Sequence, residues 1–360
     1  TLLKRNAETQ VTSRLRGERL SNVRVVDRAL PPHVRFRPSY RQNGLMALFL
    51  GGALGIGLAF LLEYLDRSLR TPEQVERILK LPALGIVPST RQGGGGHGYG
   101  YGYVKRLKKS PDTGKDEDIP IELLPHHQPR STVAEAYRGF RTALLLSRAG
   151  GVKSIAITST LPGEGKTTTA LNLAVVLAQL GKSVLLVAAD LHKARMHEIL
   201  RISNRVGLVS VLAENVAPTS AIVTIKNIPG LSVVVSGPTA PNPSGLLASE
   251  SMTKFLQFAS DNFDFVILDT PPVGPVADAL IIGNQCDGVV LIVKGGATPR
   301  DQVTRTRNRL QRSNVRILGV LINKLEEDAY GYGKYYSYYG KAYGDTPSTT
   351  DPKRAAARVS

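Results

Sequence analysis

Cysteine is almost missing from this 360-residue chain: Cys286 stands alone, so no internal disulfide can form and the thiol reads as a small core residue. The six histidines include His126, His127, His192 and His197, with no partner cysteines and no H-E-x-x-H spacing. No zinc-site pattern is present, and these side chains read as solvated or helix-surface groups. Acidic residues are also scarce, 29 against 46 Lys and Arg, which leaves a formal net charge of +17. That excess suits nucleic acid, and equally a protein held against an anionic inner leaflet. No amino-terminal signal is visible, and the chain opens at Thr1 inside helix-compatible sequence, as a fragment would.

The segment Lys153–Leu180 reads as a buried strand, a glycine-bearing loop and a helix, with Gly165-Lys166-Thr167 at the junction. Such a loop lets backbone N–H groups and a helix N-terminus converge on phosphate oxygens. Lys166 reaches the β- and γ-phosphates, and the Thr167 hydroxyl is placed to ligate Mg²⁺. The usual pattern, G-x-x-x-x-G-K followed by Ser or Thr, is not fully met, because Thr160 stands at its first glycine. Both flanking elements are present, so the chain is expected to bind a nucleoside triphosphate. Asp269 ends the apolar run FVILD, and Asp190 lies just past the end of VLLVAAD. Carboxylates at strand ends beside a phosphate loop suit work on metal and phosphate.

Charge is absent altogether from Gly44–Leu62, GLMALFLGGALGIGLAFLL. Its nineteen residues span about 28 Å as a helix, close to the hydrocarbon thickness of a bilayer. Basic residues flank it on both sides, so charge alone does not set its orientation. ATP and free Mg²⁺ are cytosolic, which puts the residues after Leu62 inside and residues 1–43 outside. Pro31, Pro32 and Pro38 make an extended lead-in to the span, and Thr71-Pro72-Glu73 starts a short helix. Gly93–Tyr103, GGGGHGYGYGY, and the charged residues after it read as a flexible linker within a juxtamembrane region, 63–128. This aromatic and basic stretch is compatible with nucleic acid, and more naturally with lipid headgroups.

From Pro129 to about residue 326 apolar strands alternate with amphipathic helices. Strands are expected at Ser154–Thr158, Ser183–Val187, Leu231–Ser236, Phe263–Leu268, Gly288–Val293 and Ile317–Ile322. Helices are expected at Thr167–Leu180, Ser244–Ser260 and Asp301–Arg312. The predicted fold is α/β, a doubly wound and mainly parallel sheet of the P-loop NTPase type, with ligands at the strands' carboxyl ends. Residues 327–360 form a tail in which Tyr330, Tyr332, Tyr335, Tyr336, Tyr338, Tyr339 and Tyr343 lie among Gly and Lys. Tyrosines so dense belong to an exposed segment.

With phosphate loop, Asp190, Asp269 and tyrosine tail in this order, the chain resembles the bacterial tyrosine kinases of the deviant-Walker ATPase group, over nearly its whole length. The helix Gly44–Leu62 and EYLDRSLRTPEQVERILKLPALGIVP look like the second membrane helix and exit of polysaccharide co-polymerases. EAYRGFR resembles the family's E-x-x-R-x-x-R helix, and GPTAPNPSGLL is another family-like loop. The resemblance implies that Gly163, Glu164, Gly165, Lys166, Thr167 and Thr168 bind ATP. It makes Thr167, Asp190 and Asp269 the Mg²⁺ ligands, with Lys166 and the two aspartates as the catalytic set. Asn323 falls on the adenine side, and Glu135, Arg138 and Arg141 contact a neighbouring subunit in a ring. The tail tyrosines are the phosphate acceptors. The implied setting is the bacterial inner membrane, with the kinase domain and tail cytoplasmic. The implied partners are the exopolysaccharide or capsule polymerisation and export machinery and a tyrosine phosphatase, with no nucleic acid.

The chain departs from the family at Ala188, where a first Walker A′ aspartate is usual, and the basic pair that follows is altered to His192-Lys193. Alanine can neither assist deprotonation of a tyrosine nor support a metal. Two readings follow, a tyrosine autokinase of reduced rate and a catalytically weak co-polymerase scaffold that uses ATP to assemble. A MinD- or ParA-like positioning ATPase is the third, disfavoured by the integral membrane helix.

Overall fold

A computed structural model of the chain describes residues 2–17, 39–65, 68–89 and 121–326. Two compact units are present, Thr1–Asp66 and Arg67–Ser360. The described part of the first consists of the helices Leu2–Gly17 and Tyr40–Leu65. Within the latter, the 23 residues Tyr40–Leu62 are long and apolar enough to cross a membrane. Its side chains are all exposed, Phe49 at 80%, whereas a helix of a soluble core would bury such residues.

The second unit is built on a sheet of eight strands among the described residues. In chain order these are β1 (Ala83–Pro88), β2 (Ser154–Ser159), β3 (Val184–Ala188), β4 (Ile222–Thr224), β5 (Leu231–Val234), β6 (Phe265–Asp269), β7 (Gly288–Lys294) and β8 (Ile317–Leu325). Their spatial order is β1-β8-β7-β2-β6-β3-β5-β4, parallel throughout except where β4 runs antiparallel to β5. Every residue of β2, β3 and β6 is buried, as in strands covered on both faces. Ile155 and Ile157 pack into one core with Phe140, Leu171 and Val175, while Ala156 turns to a second core with Phe255, Met252 and Ile282. The two-residue period of the strand thus divides its side chains between two helical layers.

The six expected strands and the parallel sheet are all present, with ends shifted by at most three residues. The expected helix Ser244–Ser260 is two helices, Pro243–Leu247 and Glu250–Asn262. Ser249 lies between them in extended conformation, and its hydroxyl accepts from Met252 N at 3.3 Å, an N-cap that starts a new helix.

A larger difference lies upstream. The segment 68–88, within the region 63–128 read as juxtamembrane, packs into the folded unit and ends in a strand of the sheet. The Thr71 hydroxyl accepts from Gln74 N and starts the helix Pro72–Leu79, and β1 then pairs with β8. Leu69, Val75 and Leu79 form a third core with Leu291, Val293, Val303 and Ile322. The six residues Ala83–Pro88 show too little periodicity to announce an edge strand. The linker 93–119 and the tyrosine tail lie outside the described residues.

Leu69 is fully buried, so Leu69→Ala should destabilise a chain of residues 67–360 by about 2–5 kcal/mol, read from the shift in its urea unfolding midpoint. An unchanged midpoint would mean that this segment does not belong to the folded unit.

Candidate functional site

β2 delivers its last residues into the loop Thr160–Gly165, and the helix Lys166–Ala178 begins at once. Gly163 and Gly165 have φ of 82° and 96°, where a side chain is strained. At Gly165 space is lacking too, because a Cβ would come within 2.2 Å of Asn323 Nδ2. The helix is buried around most of its circumference from Thr169 on, which fixes its N-terminus against the strand ends.

Four functional side chains meet there. Lys166 Nζ donates to Asp190 Oδ2 at 2.7 Å, and Thr167 Oγ1 donates to Asp269 Oδ2 at 2.7 Å. Asp269 Oδ1 is buried without a hydrogen-bond partner. Burial pushes the Asp269 carboxyl up to about 6, against the pull of Lys166 and the Thr167 hydroxyl. Burial also presses on the Lys166 ammonium, but Asp269 and Asp190 outweigh it and hold the pKa above its ordinary value. Ala188 is the register partner of Asp269 on the adjacent strand. Its buried methyl therefore occupies the place nearest to Asp269 from which a second carboxylate would act.

These residues fit a cation. An unpartnered buried carboxylate oxygen, a threonine hydroxyl and a second aspartate face one phosphate loop. No group of three His, Cys, Asp or Glu ligands forms among the described residues. A Mg²⁺ ion would therefore take Thr167, Asp269 and Asp190 together with nucleotide oxygens and water, as is usual for that ion.

Glu164, expected to bind ATP, turns inward as a brace. Its carboxylate accepts from Leu161 N at 2.8 Å, from Lys294 N at 3.4 Å and from the Thr298 hydroxyl. Burial raises its pKa, and those hydrogen bonds oppose the rise. Asn323 is also committed within the chain: its Nδ2 donates to Glu164 O at 2.8 Å, and its Oδ1 accepts from Lys324 N. Lys324 Nζ reaches Gly163 O at 3.0 Å. Thr168 is half-buried in the first turn of the helix. Thr298, Lys324 and Asn323 reach the loop from more than 130 residues away, so no local spacing could reveal them.

His192 is not simply solvated. Its Nε2 lies 2.9 Å from Asp278 Oδ2, and the Ser244 hydroxyl donates to the other oxygen of this fully buried carboxylate. Asp278 thereby joins the loop after β3 to the helix Pro243–Leu247. These contacts were not legible in the sequence, since Asp278 lies 86 residues from His192 and 34 from Ser244. On the helix Thr132–Leu146, Glu135 and Arg138 pair at 2.8 Å on the surface, and Arg138 also donates to Pro129 O. Arg141 Nη1 donates to Val176 O at 2.7 Å, near the end of the phosphate-loop helix. Tyr330 to Tyr343 lie outside the described residues.

Comparison with known proteins follows the same line. The profile of the ParA family, described as an NUBPL iron-transfer P-loop NTPase, matches residues 151–350. The tyrosine-protein kinase YwqD of Bacillus subtilis (strain 168) is 42% identical over 216 residues, 59% of this chain and 89% of its own. A putative tyrosine-protein kinase in the cps region of Klebsiella pneumoniae is 31% identical over 329 residues, 91% of this chain. The chain spans 44% of that relative's length. Among solved structures, the kinase domain of the Escherichia coli tyrosine kinase ETK aligns with a TM-score of 0.63 and 27% identity, over 73% of this chain and 97% of that one.

The raised pKa of Asp269 sets a pH test on the nucleotide-free protein. A carboxyl whose folded pKa lies above its ordinary 3.8 favours the fold while protonated, and that contribution is lost as pH rises through about 6. Asp269→Asn removes the loss. Its stability relative to wild type should rise by about 1–1.5 kcal/mol between pH 5 and pH 8 without Mg²⁺, measured by chemical denaturation. A pH-independent difference would contradict the assignment.

Proposed function

The chain belongs to the tyrosine-protein kinases built on the ParA-type P-loop NTPase fold, and on that premise we propose that it is a membrane-anchored tyrosine autokinase. It transfers the γ-phosphoryl group of ATP to tyrosines among Tyr330–Tyr343 of a neighbouring subunit. The observation that carries this reading is the convergence of Lys166–Asp190 and Thr167–Asp269 on one phosphate loop.

Phosphoryl transfer needs positioning and charge stabilisation more than covalent chemistry from the protein. Backbone N–H groups of Gly163–Thr168 and the helix N-terminus hold the phosphates, and Lys166 exchanges Asp190 for the β- and γ-phosphate oxygens. Mg²⁺, when bound at Thr167, Asp190 and Asp269, neutralises charge on the transferred group. Asp269 offers its unpartnered Oδ1 to that shell, while Thr167 keeps the other oxygen oriented. Glu164, Asn323 and Lys324 hold the loop in shape, so the phosphate cradle does not have to form on binding. The acceptor phenol loses its proton without a carboxylate at position 188.

The segment Gly44–Leu62 of the helix Tyr40–Leu65 anchors the protein in the bacterial inner membrane, and the requirement for ATP puts the residues after it in the cytoplasm. On this reading residues 1–43 are the extracytoplasmic end of a chain-length-determinant-like domain, and 129–326 with the tail 327–360 make the kinase and its substrate. Glu135 and Arg138 face outward and suit contact between subunits in a ring; Arg141 would contribute while bonded to Val176 O. The process served is exopolysaccharide or capsule polymerisation and export, in keeping with the cps region in the name of the Klebsiella relative. A tyrosine phosphatase returns the tail to its starting state, and nucleic acid has no part.

Ala188 favours a second reading, a slow or silent kinase kept as an ATP-dependent co-polymerase scaffold, because its methyl replaces a group that would take the phenol proton. One experiment separates the two. Residues 67–360, which include β1, are incubated with Mg²⁺ and ATP, and phosphotyrosine is mapped by mass spectrometry. The autokinase predicts phosphate within Tyr330–Tyr343 and none in Lys166→Met. Ala188→Asp should raise the initial rate by about 10²-fold or more, as restoring an acid–base group does. Signal in Ala188→Asp alone would establish the scaffold.

A further inference from the structure

The helix Arg300–Arg312 buries Val303, Thr306 and Leu310 and turns an arginine-rich face outward. Arg305, Arg309 and Arg312 recur at i, i+4 and i+7 on that face and are all exposed. With Leu280, Asn308 and Ser313 they line a cavity of about 370 Å³ against the neighbouring helix Asp278–Gln285. Like charges at this spacing repel by a few tenths of a kcal/mol per pair, roughly. Among the described residues, no carboxylate pairs with Arg305, Arg309 or Arg312 to relieve them. The missing counter-charge is what a ligand would bring.

Arg309 ties this cavity to the site. Its Nη1 donates to Val273 O at 2.6 Å and to Gly274 O at 3.0 Å, in the loop that leaves Asp269. Val273 N donates to Ser159 O at 2.9 Å, and a Cβ on Gly274 would lie 3.2 Å from Thr160 O, in the phosphate loop. A guanidinium has five N–H donors in a planar fork, so Arg309 can hold that loop and still present an edge to an anion.

We infer that this cavity is a phosphotyrosine site, and that its occupant is the segment Tyr330–Tyr343 once phosphorylated. Charge selects the occupant. The unmodified segment carries Lys334 and Lys341 and no acidic residue, so the arginines repel it. Each phosphate adds about −1.5 to −2 charges and three acceptor oxygens, which reverses the sign. The lining suits the rest of the residue: Leu280 and the arginine stems offer apolar surface to a phenyl ring, and guanidinium planes stack on aromatic faces. Asn308 and Ser313 supply neutral hydrogen-bonding groups beside the arginines. The site therefore reads the product of the reaction, and Arg309 passes its occupancy to the loop behind Asp269. This inference rests on the tail being the acceptor, but its test does not require the enzyme to have made the product.

The full chain in detergent, treated with a phosphatase that is then removed, is titrated with labelled synthetic peptides of residues 330–343. One peptide carries phosphate on Tyr335 and Tyr336, one has none, and one carries phosphoserine at those two positions. The phosphotyrosine peptide should bind at least about 10-fold more tightly than either of the others. Arg305→Ala with Arg312→Ala should weaken it by about 10-fold or more, with ATP binding and the unfolding midpoint unchanged. Arg305→Lys with Arg312→Lys should recover only part of the affinity, since an ammonium lacks the planar fork. Equal binding of the three peptides would overturn the inference, as would full affinity in the double alanine variant. Binding of phosphatidylserine vesicles through the same arginines, with no preference for the phosphotyrosine peptide, would make this a lipid-facing patch and also overturn it. Tail phosphate found in the kinase assay without peptide binding here would refute the docking site alone.

Discussion

A carboxylate sealed at the end of a parallel strand is the constraint on which this site depends. Asp269 has lost its water, and its pKa rises to about 6 because a buried charge is costly. Lys166 and Thr167 offset that cost from the first turn of the phosphate-loop helix. The same dehydration leaves Oδ1 without a partner. A cation bound there would supply the partner that Oδ1 lacks and would thereby stabilise the centre of the sheet.

The loop that carries Lys166 is held from behind rather than by its own sequence. Glu164 links it to Thr298, and Asn323 and Lys324 hold two of its carbonyls. Thr298 also accepts through its backbone from Leu69 N, and Gly296 N donates to Leu69 O. Leu69 is thus two hydrogen-bonded steps from the phosphate loop. A segment built in this way into the network behind the phosphate loop differs from a passive tether, because any displacement of it has to be absorbed by packed side chains.

Ala188 is the point at which chemistry and packing meet. A second carboxylate there would stand about 5 Å from Asp269 across the parallel pair and compete with it for the charge of Lys166. Its replacement by a methyl group lowers the local charge and removes a proton acceptor in one substitution. With one carboxylate fewer, a cation held at this loop would lean more heavily on Asp269 and Asp190.

Much of this protein was legible along the chain. Continuous apolar runs gave six of the eight strands, since strands covered on both faces need little else. The glycine loop, Lys166, Thr167 and the aspartates at two strand ends declared phosphate chemistry, because that chemistry needs those residue types in one short segment and at one edge of one sheet. A helix long and apolar enough to cross a membrane was plain from nineteen residues without charge. Tertiary structure alone decided what Glu164 and Asn323 do, that His192 meets Asp278, and that β1 joins the sheet beside β8. It also placed Arg309 on the loop behind Asp269. Each of these is a contact between residues far apart in the chain, fixed by strand order and helix packing, and a local pattern carries no information about which distant side chain will satisfy a buried donor or acceptor.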